Sequence, residues 1–306
     1  MAGAFLGLVF LFGASLGSFV NVVAWRLPLR ISIVRPGSAC PSCGTPIRGL
    51  ALFPVFGWLL SKGACRACHV PISARYPLVE LTVGLSAAAL WLHHAGPNVL
   101  PPNPEALIFG VVVPFILHLA FAATLVLLAL IDLDWFLLPN RVTLPLALLG
   151  LLSALAIHRQ TGVDLAAAAY GALLLGGIPL AIGLAYASLT GRAGLGGGDW
   201  KLGLAIGAWL GPRAVPFIFV AAPLLGLLAA LLFRRELARA TPPALPGEDP
   251  EPTPESSSEP THTPEPTPKL GRLHIPFGPF LAVAALGWLF FGAELQDLFD
   301  VFARAR

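Results

Sequence analysis

An acidic residue follows a glycine-rich bend in the stretch Gly194-Leu195-Gly196-Gly197-Gly198-Asp199-Trp200-Lys201-Leu202, and long apolar runs lie on either side of it. An acidic group beside membrane-embedded segments is costly, so Asp199 is a candidate catalytic or ion-handling residue. Glycines lack a Cβ atom and let another backbone approach closely, which predicts a slot for a partner chain next to Asp199. The alternative interpretation is a tight turn between helices in which Asp199 is only a cap.

The composition of the chain is that of a membrane protein. Of its 306 residues, 56% are hydrophobic and only 11% are charged, and the mean hydropathy is +0.79. Soluble domains carry roughly a quarter charged residues, so the chain is predicted to cross the membrane several times. The 32 glycines and 30 prolines fit closely packed, sometimes broken helices. The apolar N-terminus has no basic n-region, and we interpret it as a retained span.

Eight apolar runs predict an all-α polytopic membrane protein with about eight transmembrane helices and a small cytoplasmic zinc-binding loop domain. The second, fourth and sixth runs are short for a crossing, which needs about 17–25 residues. The runs are Ala2–Trp25, Pro77–Leu92, Ala106–Ile131, Val142–Ile157, Leu165–Thr190, Leu202–Leu210, Ala214–Phe233 and Pro276–Ala293.

The basic residues predict the orientation. With the N-terminus outside, the segments 26–76, 132–141, 191–201 and 234–272 lie inside and hold 15 of the 19 lysines and arginines. The positive-inside rule makes this face cytoplasmic. Two spans separate the cysteine-bearing segment from Asp132 and two more separate Asp132 from Asp199, so all three are predicted to reach one side of the membrane.

Residues 241–268 differ from the rest of the chain. They contain ten prolines and six acidic residues but no lysine or arginine. Such a segment cannot bury enough apolar surface to fold, so a disordered cytoplasmic linker is predicted. The predicted domains are a first span (1–25), the cysteine-bearing domain (26–76), a membrane core (77–233), the linker (234–272) and a last span with its tail (273–306).

Four cysteines form two CxxC pairs, Cys40-Pro41-Ser42-Cys43 and Cys65-Arg66-Ala67-Cys68, with 21 residues between them. Each pair can present two thiolates to one ion, and together they complete a tetrahedral sulfur site for zinc. Four protein ligands leave no open position, so a structural role is predicted. A redox CxxC is the main alternative, and the cytoplasmic side and the pairing argue against it. His69 is interpreted as a bystander.

A second acidic group lies at the inner end of the third span. Asp132 and Asp134 are two residues apart and point in largely opposite directions on a helix, so Asp132 is the better candidate to face the bundle. Asp134 is interpreted as a solvated or capping acid. Two carboxylates that share a site, here Asp132 and Asp199, tend to hold one proton between them. The ionised group can then activate water while the other protonates the substrate, which is the chemistry of an aspartic peptidase. The alternative is two unrelated acids at helix ends.

The chain resembles the prepilin leader peptidases of type IV pilus and type II secretion systems, and the resemblance covers nearly all of it except the linker. The motifs that carry the resemblance are Gly17-Ser18-Phe19-Val20-Asn21-Val22-Val23, Arg26-Leu27-Pro28, the CxxC pairs, Arg75-Tyr76-Pro77-Leu78-Val79-Glu80, Ile131-Asp132, Leu138-Pro139-Asn140, the glycines before Asp199, Trp200-Lys201-Leu202, Ala208-Trp209-Leu210-Gly211 and Ile275-Pro276-Phe277-Gly278-Pro279-Phe280.

By position, the resemblance implies that Asp132 and Asp199 are catalytic, that the zinc ligands are the four cysteines Cys40, Cys43, Cys65 and Cys68, and that the loop Gly196, Gly197 and Gly198 supports the active site. It further implies a bacterial inner-membrane enzyme that acts at the cytoplasmic face. The expected substrates are prepilins and pseudopilins, whose short basic leaders are cut just after a glycine and whose following helix is apolar. Members with the cysteine domain commonly also methylate the new N-terminus with S-adenosylmethionine. No glycine-rich methyltransferase fingerprint is visible, so the methyl-donor site is unassigned.

Other functions remain open at this stage. One is a transporter or channel that uses Asp132 and Asp199 as ion or proton ligands. Two enzyme alternatives are an intramembrane GxGD protease of the presenilin type and a prepilin peptidase without methyltransferase activity. Glu80 is a candidate contact for a basic leader, although pairing with Arg75 is the favoured interpretation. The expected partners are prepilins, pseudopilins and the lipid bilayer, with no nucleic acid, and the sequence leaves the oligomeric state open.

Overall fold

The computed structural model describes residues 2–96, 103–191, 196–233 and 276–304. Across these residues the protein is helical, and the extended backbone amounts to two isolated antiparallel bridges in the cysteine-bearing loops. The predicted linker at 241–268 lies outside the described residues. The all-α prediction is therefore confirmed for the described part of the chain.

The described residues contain twelve α-helices. They are, in chain order, α1 (Ala2–Arg26), α2 (Phe56–Leu60), α3 (Arg75–Ala95), α4 (Pro104–Leu107), α5 (Val113–Trp135), α6 (Asn140–Ala156), α7 (His158–Thr161), α8 (Leu165–Ala172), α9 (Ile178–Thr190), α10 (Asp199–Leu210), α11 (Val215–Leu232) and α12 (Gly278–Arg304). Short π-helical turns, Ile108–Val112 and Leu173–Gly177, join α4 to α5 and α8 to α9.

Six helical segments in the described residues are long and apolar enough to cross a membrane: Gly3–Arg26, Arg75–Ala95, Pro104–Trp135, Leu165–Thr190, Pro212–Leu232 and Gly278–Asp297. The protein is thus a multi-pass membrane protein. The predicted number of eight crossings is not confirmed, because α6 has 17 residues and α10 only 12. Both are shorter than a typical crossing of about 20 residues.

Helix α5 is the centre of the bundle. One face packs in a cluster with α1 and α3, where Val83, Leu119 and Ile131 are almost completely buried. The opposite face packs in a second cluster with α6, α10, α11 and α12, which includes the buried Leu125 and Ile206. Because both hydrophobic cores use α5, the residues at its ends are held in place relative to α1, α3, α6, α10, α11 and α12.

Helix α10 packs closely against α8 and the π-helical turn Leu173–Gly177, so that their backbones are in direct contact. Gly203 and Gly207 are four residues apart and lie on one face of α10. A Cβ atom on Gly203 would collide with the carbonyl of Leu175, and one on Gly207 would collide with that of Gly171. Small residues at this spacing are a common way to bring membrane helices together. The close contact fixes α10, and with it Asp199 at its N-terminus.

Between Asp132 and Asp199 the chain crosses the bundle and then crosses back to the same end. Asp132 lies near the C-terminus of α5, and Asp199 is the first residue of α10. Helix α6 runs away from this level, and α8 and α9 run back. We call the end of the bundle that holds the two acids the carboxylate end. The cysteine-bearing loops between α1 and α3 are at the same end, since Arg75 at the start of α3 contacts Asp134.

Candidate active site

Asp132 is buried, with only 5% of its surface exposed, although it carries a carboxylate. It lies in the last turn of α5, which ends when Phe136 adopts a left-handed conformation with φ of 51°. The backbone N–H of Phe136 donates to the carbonyl of Asp132 at 2.9 Å. This cap stops the helix one turn after Asp132, so the carboxylate is presented at the end of the bundle and not at its middle.

The N-terminus of α12 holds the side chain of Asp132. The backbone N–H of Gly278 donates to Asp132 Oδ2 at 2.8 Å, in a buried contact. A Cβ atom on Gly278 would lie only 2.8 Å from the same oxygen, so only glycine lets the helix approach this closely. The N-terminus of a long helix also carries partial positive charge, which favours an anionic carboxylate.

Asp199 is presented by the glycine loop that was predicted to support it. The loop wraps closely around the carboxylate, because a Cβ atom on Gly196 would lie 2.8 Å from Asp199 Oδ2. A Cβ on Gly198 would lie 2.7 Å from the side chain of Leu138, which belongs to the connection after α5. The glycines therefore bring the loop against the α5–α6 connection and contribute no side chain of their own to the cavity in front of Asp199.

Asp199 lies outside the six membrane-spanning segments, and its surroundings raise the pKa of its carboxyl group. Burial raises its pKa, and the negative charge of Asp132 raises it further, to about 6. The second cause requires the two carboxylates to be near each other. At neutral pH such a pair takes up one proton more readily than two isolated aspartates would.

One cavity of about 530 Å³ contains both acids. Its walls come from three parts of the chain that are far apart in sequence. These are residues 136–140 after α5, residues 196–199 before α10, and Pro276 with Phe277 before α12. The cavity is open on one side and is lined by polar and apolar groups together, as a binding site for a peptide requires.

Two further polar residues line this cavity, Lys201 and Asn140, and neither was predicted from the sequence as a site residue. Lys201 Nζ donates to Asn140 Oδ1 at 2.8 Å across the two walls. The Lys201 ammonium also lies 5.5 Å from the ring centre of Trp200. Both residues belong to motifs of the resemblance, and that is the signal that points to them.

The other acids near this end have structural partners. Asp134 forms a bidentate ion pair with Arg75, with N···O distances of 2.6 and 2.7 Å. The interpretation of Asp134 as a solvated or capping acid and the pairing of Arg75 with Glu80 were therefore wrong. Glu80 is 9% exposed, and its Oε2 accepts the backbone N–H of Val55 at 2.6 Å.

The four cysteine sulfurs form one cluster at the carboxylate end. All four lie within 4.8 Å of one another. The Cys40–Cys68 and Cys43–Cys65 sulfur separations are 3.7 and 3.9 Å, and none of the four is in a disulfide. A tetrahedral ion with metal–sulfur bonds of about 2.3 Å places its sulfurs about 3.8 Å apart. The cluster is therefore of the right size to hold a metal ion.

The two CxxC loops have the same backbone. Cys40 and Cys65 each accept an N–H bond at 2.9 Å from the residue after the second cysteine, Gly44 or His69. Both of those residues have positive φ, 68° and 58°. His69 therefore occupies the turn position that glycine fills in the first loop. Cys43 Sγ lies 3.2 Å from Thr45 Oγ1, and hydrogen bonding with the side chain and backbone of Thr45 lowers the pKa of Cys43 to about 6.

The chain was compared with known protein families and with individual proteins. The pattern of the bacterial peptidase A24 N-terminal domain matches residues 11–94, and that of the type IV leader peptidase family matches residues 119–231. A prepilin leader peptidase/N-methyltransferase of Dichelobacter nodosus is 32% identical over an alignment of 330 positions, which covers 97% of this chain and 96% of the relative. The chain belongs to the type IV leader peptidase family.

Other members of the type IV leader peptidase family give the same result. The protein of that name from Aeromonas hydrophila is 33% identical over 93% of this chain and 89% of the relative. The one from Klebsiella pneumoniae is 40% identical over 70% of this chain and 87% of the relative. No solved structure matches the chain. Within the family pattern, the match at 119–231 includes Asp132 and Asp199, and the N-terminal match includes the four cysteines.

Proposed function

We propose that this membrane protein hydrolyses the leader from prepilins and pseudopilins, with Asp132 and Asp199 as the two catalytic carboxylates. One observation carries the proposal. Two acids from distant parts of the chain line one open cavity, and each is placed there by specific backbone contacts. The names of the relatives, which are prepilin leader peptidases, support the choice of substrate.

The chemistry needs one ionised and one protonated carboxylate. The ionised group takes a proton from water, and the resulting hydroxide attacks the scissile carbonyl carbon. The protonated group donates to the carbonyl oxygen, and collapse of the intermediate breaks the C–N bond as the leaving amine is protonated. The raised pKa of Asp199 supports this sharing of one proton near neutral pH. The Gly278 N–H at the N-terminus of α12 donates to Asp132 Oδ2 and holds this carboxylate in place in the wall of the cavity.

The cavity suits an extended peptide. The glycine loop leaves space in front of Asp199, so that a backbone can approach the carboxylate closely. The carboxylate end is proposed to face the cytoplasm of a bacterial inner membrane, because the described segments at this end, 26–76, 132–141 and 196–201, together hold nine lysines and arginines. The basic leader of a prepilin then stays on that side while its apolar helix lies in the bilayer.

The cysteine cluster is proposed to hold a structural zinc ion. Its four sulfurs have the separations of a tetrahedral zinc site, and four protein ligands leave no position for a substrate. The ion would hold together loops that contain few buried apolar residues. The only α-helix in these loops is α2, which has five residues. Folding of this domain is then coupled to metal binding.

A second reaction is proposed from the names of the relatives, which are also N-methyltransferases. In it, a methyl group passes from S-adenosylmethionine to the amine that cleavage has exposed. The order is fixed by chemistry, because the amine is part of the peptide bond until the leader has gone.

One experiment tests both reactions. The purified protein in detergent is mixed with a full-length prepilin, and the mass of the prepilin is read before and after S-adenosylmethionine is added. The proposal predicts first the loss of the leader and then the gain of one methyl group. An intact prepilin would contradict the peptidase, and cleavage without a mass gain would contradict only the methyl transfer.

A further inference from the structure

An apolar groove lies between α11 and α12 at the carboxylate end. It has a volume of about 250 Å³, and its seven lining residues are all apolar. Leu228 and Leu232 come from the last turns of α11, and Phe280 and Val283 from the first turns of α12. Leu228, Leu232 and Val283 are all more than half exposed, at 52%, 65% and 55%. The groove therefore opens on the outer surface of the bundle.

The groove lies next to the cavity that holds the two acids. Phe277 lines that cavity, Phe280 lines the groove, and their ring centres are 6.3 Å apart. Gly226 of α11 lies beneath both rings, because a Cβ there would be 3.4 Å from Phe280 and 3.8 Å from Phe277. Within the described residues, these two aromatic rings thus connect the cavity that holds the carboxylates to the groove.

We propose that this groove binds the apolar helix of the substrate, at the residues just after the scissile bond. The inference rests on the proposed function, in which a polar leader precedes an apolar membrane segment. Once the scissile bond lies at the two carboxylates, the next residues must leave the cavity toward the bilayer. The path over Phe277 and Phe280 leads them to an apolar surface of the enzyme at the correct end of the bundle.

The groove can bind an apolar helix through close packing of side chains. Helices in lipid associate mainly through close van der Waals contact, so a concave surface between two helices is a better docking position than a flat one. One wall of the groove is formed by the first turns of α12, next to Gly278 and its bond to Asp132. Contacts made there hold the scissile bond in register with the carboxylates, as a remote binding site does in other enzymes.

The test compares two substrates and two variants. The substrates are a full-length prepilin and a short peptide that contains the leader and the scissile bond but not the apolar helix. Val283→Trp fills the groove with a larger side chain. Leu231→Trp is the matched control, because Leu231 is also on the outer surface, 56% exposed, but does not line the groove. Values of kcat and KM are measured in detergent for the wild type and both variants.

The proposal predicts that Val283→Trp raises KM for the full-length prepilin about tenfold, which corresponds to about 1.4 kcal/mol of lost binding. Cleavage of the short peptide by this variant, and of both substrates by Leu231→Trp, should stay near the wild-type values. An unchanged KM for the prepilin would overturn the proposal, since lipid or residues of this chain then occupy the groove. An equal loss on both substrates would also overturn it, because the groove then only shapes the cavity. If the wild type cleaves neither substrate, the proposed function itself fails and the proposed occupant with it.

Discussion

Replacing Gly278 by alanine adds one methyl group beside the carboxylate of Asp132. The new Cβ would lie 2.8 Å from Asp132 Oδ2 and 3.2 Å from its Cγ, whereas an ordinary contact is 3.4 Å or more. The carboxylate or the start of α12 must therefore move by about 0.6 Å to restore the ordinary distance. The same movement disturbs the bond of 2.8 Å from the Gly278 N–H to Asp132.

The expected effect of Gly278→Ala is on catalysis and not on folding. A misplacement of about 1 Å can reduce an enzyme's rate by about 100-fold, so a shift of about half that size should lower kcat by roughly tenfold or more. Stability should not fall in parallel, because Gly278 is at the start of a helix, has no positive φ, and alanine is the better helix former. Cleavage of a prepilin is measured by mass, and thermal unfolding is measured in the same detergent.

Gly287→Ala in the same helix is the control, since its Cβ would meet only Phe217, at an ordinary 3.8 Å. It should cleave like the wild type. If Gly278→Ala also cleaves at the wild-type rate, the position of Asp132 does not matter for the reaction, and its assignment as a catalytic carboxylate is refuted. A large loss of thermal stability in Gly278→Ala alone would instead make the contact a structural one.

Three further changes probe the surroundings of the site. Cys43→Ser removes one sulfur ligand, so bound zinc should fall to near background by metal analysis, and an unchanged zinc content would contradict the proposed ion. Arg75→Ala removes the ion-pair partner of Asp134. Because the side chains of this pair are 40% and 24% exposed, the variant should lose less than about 1 kcal/mol of stability, and the loss should shrink with added salt. Thermal unfolding measures this loss. Glu80→Ala leaves the Val55 N–H without its acceptor and should cost about 1–3 kcal/mol of stability. Glu80→Gln retains an acceptor and should lose less, and equal losses would show that the bond to Val55 does not matter.

Much of the fold was predictable because apolar runs bounded by charges, prolines and glycines indicate membrane helices. The predicted run Leu165–Thr190 has the same bounds as the observed segment, and Pro77–Leu92 lies within α3. The number of crossings was less certain, since runs such as Leu202–Leu210 depend on packing. Helix α10 is short and is held by glycine contacts with its neighbours, and sequence hydropathy does not contain that information.

The site was predictable at the level of which residues approach one another. Counting spans placed Asp132, Asp199 and the cysteines at one end, and the structure brings the two acids into one cavity. Their catalytic roles stay a prediction. Partners of individual side chains could not be predicted, because Arg75 has two acids within reach by sequence and its choice of Asp134 depends on how α3 packs on α5. The bond from Gly278 to Asp132 joins residues from opposite parts of the chain, and no spacing rule indicates it.

The most direct test of the two-carboxylate site is the cleavage of a full-length prepilin by Asp132→Asn and by Asp199→Asn, each compared with the wild type by mass. Asparagine preserves the size of the side chain but can neither take a proton from water nor share one with the second acid. Both variants should fold, retain their zinc and leave the prepilin intact. Normal cleavage by either variant would contradict the claim that these two carboxylates carry out the reaction together.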